Sequence, residues 1–135
     1  MDIRRASDNP PIVEHGGTCF SYHMVPKESM RDDTEGSYLE FVGEFELAPG
    51  SRLEPHRHDT HEFYYILEGQ ATMQISDEVA DVGPGALVHI PRNVVHSIWP
   101  TDPDKPFRGL AFAVSFMPRD AALYEPVEVA ARTDG

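Results

Sequence analysis

The most informative stretch of the chain runs from Gly50 to Gly69 and reads Gly50-Ser-Arg-Leu-Glu-Pro-His56-Arg-His58-Asp-Thr-His-Glu62-Phe-Tyr-Tyr-Ile-Leu-Glu-Gly69. Side chains alternate between the two faces of an extended strand, so His56 and His58 are expected to point the same way. Imidazole nitrogens together with one carboxylate oxygen form a ligand set that suits a divalent first-row metal. The segment therefore predicts part of a metal site.

A second stretch, Gly85-Ala-Leu-Val-His-Ile-Pro91-Arg-Asn-Val-Val-His96, supplies a fourth candidate ligand in His96. The predicted ligand set is thus His56, His58, Glu62 and His96. The expected cofactor is one divalent transition metal ion. Iron, manganese, nickel, cobalt, copper and zinc all remain open, because affinity for nitrogen and oxygen ligands rises toward copper irrespective of biological use. The other histidines, His15, His23, His61 and His89, are expected to be structural.

These two stretches resemble the two motifs of the cupin superfamily, G-x5-H-x-H-x3-E-x6-G and G-x5-P-x-G-x2-H-x3-N. Residues 50–69 match the first motif at every specified position. In the second motif, Asn93 replaces the second glycine and Pro100 replaces the final asparagine. Asparagine tolerates a positive φ better than most residues, and the last position of the motif is not a ligand. Both departures are therefore compatible with metal binding.

The resemblance implies an all-β, antiparallel jelly-roll barrel, also called a double-stranded β-helix, with its ligands projecting into the lumen. The residue pattern independently favours an all-β barrel or sandwich, because short strand-like runs alternate with turn residues. Leu39 to Leu47, for example, places Phe41 and Phe45 on one face and is expected to place Glu40 with Glu44 and Glu46 on the other. Twelve prolines and ten glycines also suit short strands better than long helices.

A length of 135 residues fits one domain with a substantial core. We expect an N-terminal arm at residues 1–17, a barrel at 18–118 and a C-terminal tail at 119–135. Residues 27–37 are expected to form a loop that could lie over the site, and residues 119–129 a helical turn followed by an extended segment.

The formal net charge of −12 argues against nucleic-acid binding, which requires basic residues to neutralise phosphates, and against anionic membrane surfaces. No apolar run is long enough to span a bilayer. The single cysteine, Cys19, cannot form an internal disulfide, which favours a reducing compartment and hence the cytoplasm. The expected partners are a small-molecule substrate and a second copy of the chain in a homodimer.

Tyr64 is the candidate catalytic residue, because strand alternation places it on the same face as Glu62 and Ile66. A phenol beside a metal can act as acid or base, or it can simply orient a ligand. Packing in the lumen with a hydrogen bond to Glu62 is the competing interpretation. His61 is expected to point outward.

Several functions fit this ligand set, since the cupin fold alone fixes no activity. The favoured hypothesis is a metal-dependent lyase or isomerase acting on a small polar or carboxylate-bearing metabolite. One specific version is a lyase that abstracts a proton α to a carboxylate, as do small cupins that cleave dimethylsulfoniopropionate. The alternatives are an iron- or copper-dependent dioxygenase and a non-enzymatic protein that binds a sugar or an acid.

Overall fold

The chain folds into two antiparallel sheets. The computed structural model describes residues 2–25, 38–115 and 124–127. Its strands are β1 (Ile12–Glu14), β2 (Cys19–Val25), β3 (Leu39–Leu47), β4 (Leu53–His58), β5 (Thr60–Glu68), β6 (Ala71–Ile75), β7 (Glu78–Val82), β8 (Leu87–Ile90), β9 (His96–Pro100), β10 (Phe107–Ser115) and β11 (Tyr124–Pro126). Within these ranges the only helices are two 3-10 turns, at Ala6–Asp8 and His15–Gly17.

One sheet has six strands in the order β1-β2-β3-β10-β5-β8, and the other has five in the order β11-β4-β9-β6-β7. Every pairing is antiparallel. Neighbours that are distant in sequence, such as β10 between β3 and β5, give the crossed connections of a jelly roll. The predicted all-β jelly-roll fold is confirmed.

The core lies between the two sheets, and on strands such as β5 and β10 it draws mainly on alternate residues. Along β10 the residues alternate strictly between buried and half-buried positions, from Phe107 to Ser115. The largest apolar side chains that are almost wholly inaccessible to solvent are Leu47, Ile66, Ile90, Ile98 and Phe107. Burial of each such side chain contributes roughly 1.5–3 kcal/mol relative to leaving it exposed. This core is the rigid support for the strands that carry the site.

The alternation expected along β3 is correct for most of the strand but wrong at Glu40. Gly43, Phe45 and Leu47 are buried, as predicted. Glu40 is also buried, at 9% exposed, although it was expected on the outer face. The cause is an irregularity in the pairing with β10, where Ala113 faces Phe41 and the next residue, Val114, faces Leu39. Because Glu40 is skipped in this register, its side chain is not held to the outer face by strand alternation.

At two turns, a positive φ explains why the chain has glycine or asparagine there. Gly69 has φ +88°, and a Cβ there would lie 2.7 Å from the carbonyl oxygen of Pro106. Asn93 also has a positive φ, of 61°, at the position where the cupin motif has glycine. The expectation that asparagine replaces glycine there without loss of the turn is confirmed.

Two predicted segments lie wholly or largely outside the described residues, namely the loop at 27–37 and the helical turn within 119–129. The described part of that second segment includes β11, which pairs with β4. The boundaries of arm, barrel and tail remain predictions. In the ranges that the structure covers, no helix is both long and apolar enough to cross a membrane.

Candidate metal centre

Three histidines from two neighbouring strands converge on one point. β4 carries His56 and His58, and the antiparallel pairing of His56 with His96 brings in β9. The ring centroid of His96 lies 4.3 Å from that of His56 and 5.0 Å from that of His58. One nitrogen from each ring lies within 4.8 Å of the others, so the three can hold a metal ion together. The expected common direction of His56 and His58 is confirmed.

Glu62 reaches the same point from the opposite sheet. Its Oε1 lies 3.2 Å from Nε2 of His58 and 3.6 Å from Nε2 of His96. The side chain is 7% exposed, so its charge is largely withdrawn from water. The structure thus brings together all four residues that the two motifs predict.

The far side of each imidazole is hydrogen-bonded, which fixes the direction of the ring. Nδ1 of His56 donates to the Glu54 carbonyl over 2.7 Å, and Nδ1 of His96 donates to the Val94 carbonyl over 2.9 Å. A donating Nδ1 leaves Nε2 without a proton, so its lone pair is free to bind a cation. Nδ1 of His58 lies 2.7 Å from the hydroxyl of Thr60, a residue that is 3% exposed.

Burial controls the protonation of His56. Desolvation, followed by the neighbouring His96, lowers the pKa of His56 to about 3. His56 is therefore neutral at physiological pH, which is the state a metal ligand needs.

His58 and Glu62 behave as a pair. Burial disfavours a charged His58, but the hydrogen bond and the charge of Glu62 outweigh it and raise the pKa of His58. Burial likewise acts to raise the pKa of Glu62, but the hydrogen bond to His58 and the proximity of His96, whose Nε2 is 3.6 Å away, lower it well below its usual range. Glu62 is consequently ionised, and the proton that it attracts to His58 is one that a cation would displace.

His96 supplies the test of whether a metal fits. The residue is 1% exposed, and among the described residues its Nε2 has no hydrogen-bond partner. A buried polar atom without a partner costs roughly 1–3 kcal/mol unless something else satisfies it. A divalent cation held between the imidazoles and the adjacent carboxylate would satisfy it, so the donor set fits a transition metal ion.

The expected alternation of side chains between the two faces of β5 is confirmed. Tyr64 and Ile66 are buried with Glu62, at 5% and 1% exposed, whereas Tyr65 and Leu67 on the other face are each 42% exposed. The Tyr64 ring packs 4.7 Å from that of Phe45, and its centroid lies 6.5 Å from that of His96. Burial, and then the charge of Glu62, raise the pKa of the Tyr64 phenol well above its usual value.

The site opens into a cavity of about 720 Å³. Aromatic side chains from three positions, Phe41, Phe45 and Tyr64, line it. Gly43 and Ala111, paired with each other across β3 and β10, add no bulk to the wall between them. Among the described residues that line the cavity there are glutamates but neither lysine nor arginine. The cavity is thus aromatic and acidic.

Sequence reasoning missed several residues of this cavity, including His23, which was expected to be structural and whose ring stacks on that of Phe41. Two others bear directly on the candidate ligands. Glu40 lines the cavity because of the irregular pairing of β3, and its charge contributes to the raised pKa of His58. His15 also lines it, with its ring centroid 4.8 Å from that of His56 and its Nδ1 3.3 Å from Glu54. Neither residue belongs to a motif, and only the folded register of β1 to β3 brings them to the site.

Comparison with known proteins agrees with the fold. A family model described as a cupin domain matches residues 43–112. A dimethylsulfoniopropionate lyase of Ruegeria pomeroyi is 32% identical over 123 residues, which cover 90% of this chain and 74% of that protein. Quercetin 2,3-dioxygenase of Bacillus subtilis is 38% identical over 66 residues, which are 48% of this chain but only 19% of that enzyme.

Among solved structures, a predicted oxalate decarboxylase of Thermotoga maritima superposes with a TM-score of 0.72 at 23% identity, covering 85% of this chain and 100% of that one. At this level of identity the likeness concerns the fold alone. A jelly-roll barrel with histidines of both motifs turned into its lumen, together with these matches, defines the class: the chain belongs to the cupin superfamily. Its relatives include a lyase and a dioxygenase.

Proposed function

We propose that this cupin is a metal-dependent lyase that acts on a small carboxylate bearing a positively charged leaving group. The observation that carries the proposal is the cavity beside the histidine cluster, whose described lining has aromatic rings and glutamates but no lysine or arginine. Aromatic faces attract onium cations, and buried carboxylates favour positive charge. The relative from Ruegeria pomeroyi, named for a substrate with a sulfonium and a carboxylate, supports the same substrate class.

We assign His56, His58, Glu62 and His96 as the ligands of one divalent ion. When bound, that ion would hold the substrate carboxylate, make its α-proton more acidic and lower the pKa of nearby groups. Four protein ligands leave room for this carboxylate on a metal that accepts five or six. The onium end would then lie against the aromatic rings of the cavity wall, Phe41 and Phe45, the first of which also stacks on the His23 ring.

Tyr64 is assigned as the residue that accepts the α-proton. In the chain alone, burial and Glu62 keep its phenol protonated. Its action as a base therefore depends on positive charge held by the neighbouring ligand set. The assignment is supported by the position of Tyr64 in the cavity lining, on the same strand face as Glu62.

The elimination balances without an oxidant or a reductant. For dimethylsulfoniopropionate, Tyr64 first gives its phenol proton to water; the α C–H bond then breaks and its proton passes to the Tyr64 phenolate oxygen. The electron pair forms a double bond between the α and β carbons. The β C–S bond breaks and its pair leaves on sulfur, which gives neutral dimethyl sulfide and an unsaturated carboxylate. Tyr64 ends protonated, as it began, and one proton has passed to water.

The test is to load the protein separately with iron, manganese, nickel, cobalt, copper or zinc. Each form is given dimethylsulfoniopropionate, and dimethyl sulfide in the headspace and oxygen uptake are both measured. Metal-dependent release of dimethyl sulfide without oxygen uptake supports the lyase. Oxygen uptake without release favours a dioxygenase, and binding without turnover favours a binding protein. As a matched control for charge, 4-methylpentanoate replaces the sulfonium with a neutral carbon and should bind more weakly.

We further propose a homodimer. β1 and β8 lie at the two edges of the six-stranded sheet, and both expose apolar side chains. Ile12 and Val13 on β1 are 48% and 57% exposed, and Leu87 on β8 is 59% exposed. Sheet edges and exposed apolar side chains are common places for self-association. We also propose a cytoplasmic location, because the free thiol of Cys19 is buried and unoxidised thiols are typical of reducing compartments.

A further inference from the structure

Two histidines form a pair on the outer face of the six-stranded sheet, on the opposite side of β5 from Glu62. His61 lies on β5 and His89 on the edge strand β8, where Phe63 pairs with His89 and Glu62 with Ile90. Because Ile90 is buried and neighbours alternate, His89 faces solvent, and it is an exposed residue. The pair is therefore separate from the cluster in the lumen.

The two imidazoles approach at a distance that suits a shared cation. Nδ1 of His61 lies 2.9 Å from Nε2 of His89. When one zinc ion binds two nitrogens at about 2.0–2.1 Å each, an N–Zn–N angle between about 90° and 109° separates the two nitrogens by about 2.9–3.4 Å. In the metal-free pair this contact is a hydrogen bond, which joins an N–H of one ring to the lone pair of the other.

Stacking holds one of the rings in place. The His89 ring lies 4.8 Å from that of Phe63 at an interplanar angle of 13°, and Phe63 stacks in the same way on Phe112 at 4.9 Å. A ring fixed by its neighbours loses little freedom when it binds a ligand, so the pair is partly preorganised. The net charge of −12 also raises the local concentration of cations.

We propose that His61 and His89 form a second metal site, which binds one borderline divalent ion such as Zn²⁺, Cu²⁺ or Ni²⁺. Imidazole ligands select this class of ion over Mg²⁺ and Ca²⁺. Water completes the coordination, because the two side chains supply two ligands at an exposed surface. The site is consequently weaker than the cluster in the lumen and does not depend on the lyase proposal.

Calorimetric titration of the purified chain with Zn²⁺ tests this inference. Wild type should bind a second, weaker equivalent, which His61→Ala and His89→Ala each remove while the first equivalent and the circular dichroism spectrum stay unchanged. Leu87→Ala, which alters an exposed side chain two residues from His89 on the same strand, should keep it. With Cu²⁺, the spin-resonance spectrum of the second equivalent should show coupling to two nitrogens. A single equivalent in wild type, or a second equivalent that survives His89→Ala, would overturn the assignment.

Discussion

The backbone amide of Asn93 donates a hydrogen bond to the carbonyl oxygen of His58 over 2.9 Å. This bond ties the turn before His96 directly to a residue of the first histidine motif. The side chain of Asp59 reinforces the tie, because it accepts hydrogen bonds from Arg92 and from Nδ2 of Asn93, the latter over 3.1 Å. The two halves of the candidate metal site are therefore connected by the chain around them as well as by any ion that they share.

Asp59→Ala should weaken metal binding without removing a ligand. The turn that leads to His96 would lose two anchors, and we expect about a tenfold loss of metal affinity, at the low end for outer contacts of a metal site. Competition with a chromophoric chelator measures it. Asp104→Ala, in the loop between β9 and β10, is the matched control and should leave the affinity unchanged. Equal affinities in all three proteins would show that the turn contributes nothing to the site.

Thr60 should orient His58. Its buried hydroxyl is 2.7 Å from Nδ1 of that ring, and Thr60→Val keeps the shape while removing the hydroxyl. We expect a loss of metal affinity of about 10–100-fold. Thr60→Ser keeps a hydroxyl at this position and should retain most of the metal affinity that Thr60→Val loses. If serine and valine bind the metal equally well, the hydrogen bond is not what positions the ring.

Tyr64 should contribute to turnover rather than to metal affinity. Tyr64→Phe keeps the ring that packs on Phe45 but removes the hydroxyl, and we expect a loss of roughly 10²–10⁴ in rate with unchanged metal content. Tyr65→Phe changes the same group on the outer face and should have almost no effect. Steady-state rates with dimethylsulfoniopropionate measure both. A Tyr64→Phe variant as active as wild type would leave Tyr64 as packing in the lumen.

The stability of the metal-free protein should fall on both sides of neutral pH. The lowered pKa of His56, about 3, lies below its usual 6.5, so the unfolded chain takes up a proton that the folded chain resists. Stability is then lost as pH falls below about 6.5, by up to about 1.4 kcal/mol per pH unit. The raised pKa of His58 has the opposite sign, so its contribution is present below 6.5 and is lost as pH rises through the raised value.

Glu62 also contributes to the loss of stability in acid. Because its pKa is lowered in the folded chain, it stabilises the fold above about pH 4.5, and this contribution disappears as pH falls. Denaturant titrations of chelator-treated protein between pH 4 and 9 measure the whole curve. In His56→Gln, which cannot take up this proton, the acid limb should be shallower than in wild type. Acid limbs that superimpose would contradict the role given to His56.

The common face of His56 and His58 could be predicted from the sequence because strand alternation is local, and the same rule places Tyr64 with Glu62. That Glu62 and His96 join the first two histidines from other strands could be predicted only through the resemblance to the cupin motifs. The position of Glu40 could not be predicted, since it depends on an irregular register against β10. The same is true of His15, which lies beside His56 through the packing of β1 and β2 and carries no local signal of that contact.

The central claim is that His56, His58, Glu62 and His96 hold one divalent ion, and elemental analysis tests it most directly. The protein is purified without a histidine tag and passed over a chelating resin that removes weakly held ions. We predict about one transition metal ion per chain in wild type and almost none in a His56→Ala/His96→Ala variant whose circular dichroism spectrum shows that it is folded. A metal content in that variant equal to the wild-type value would contradict the account.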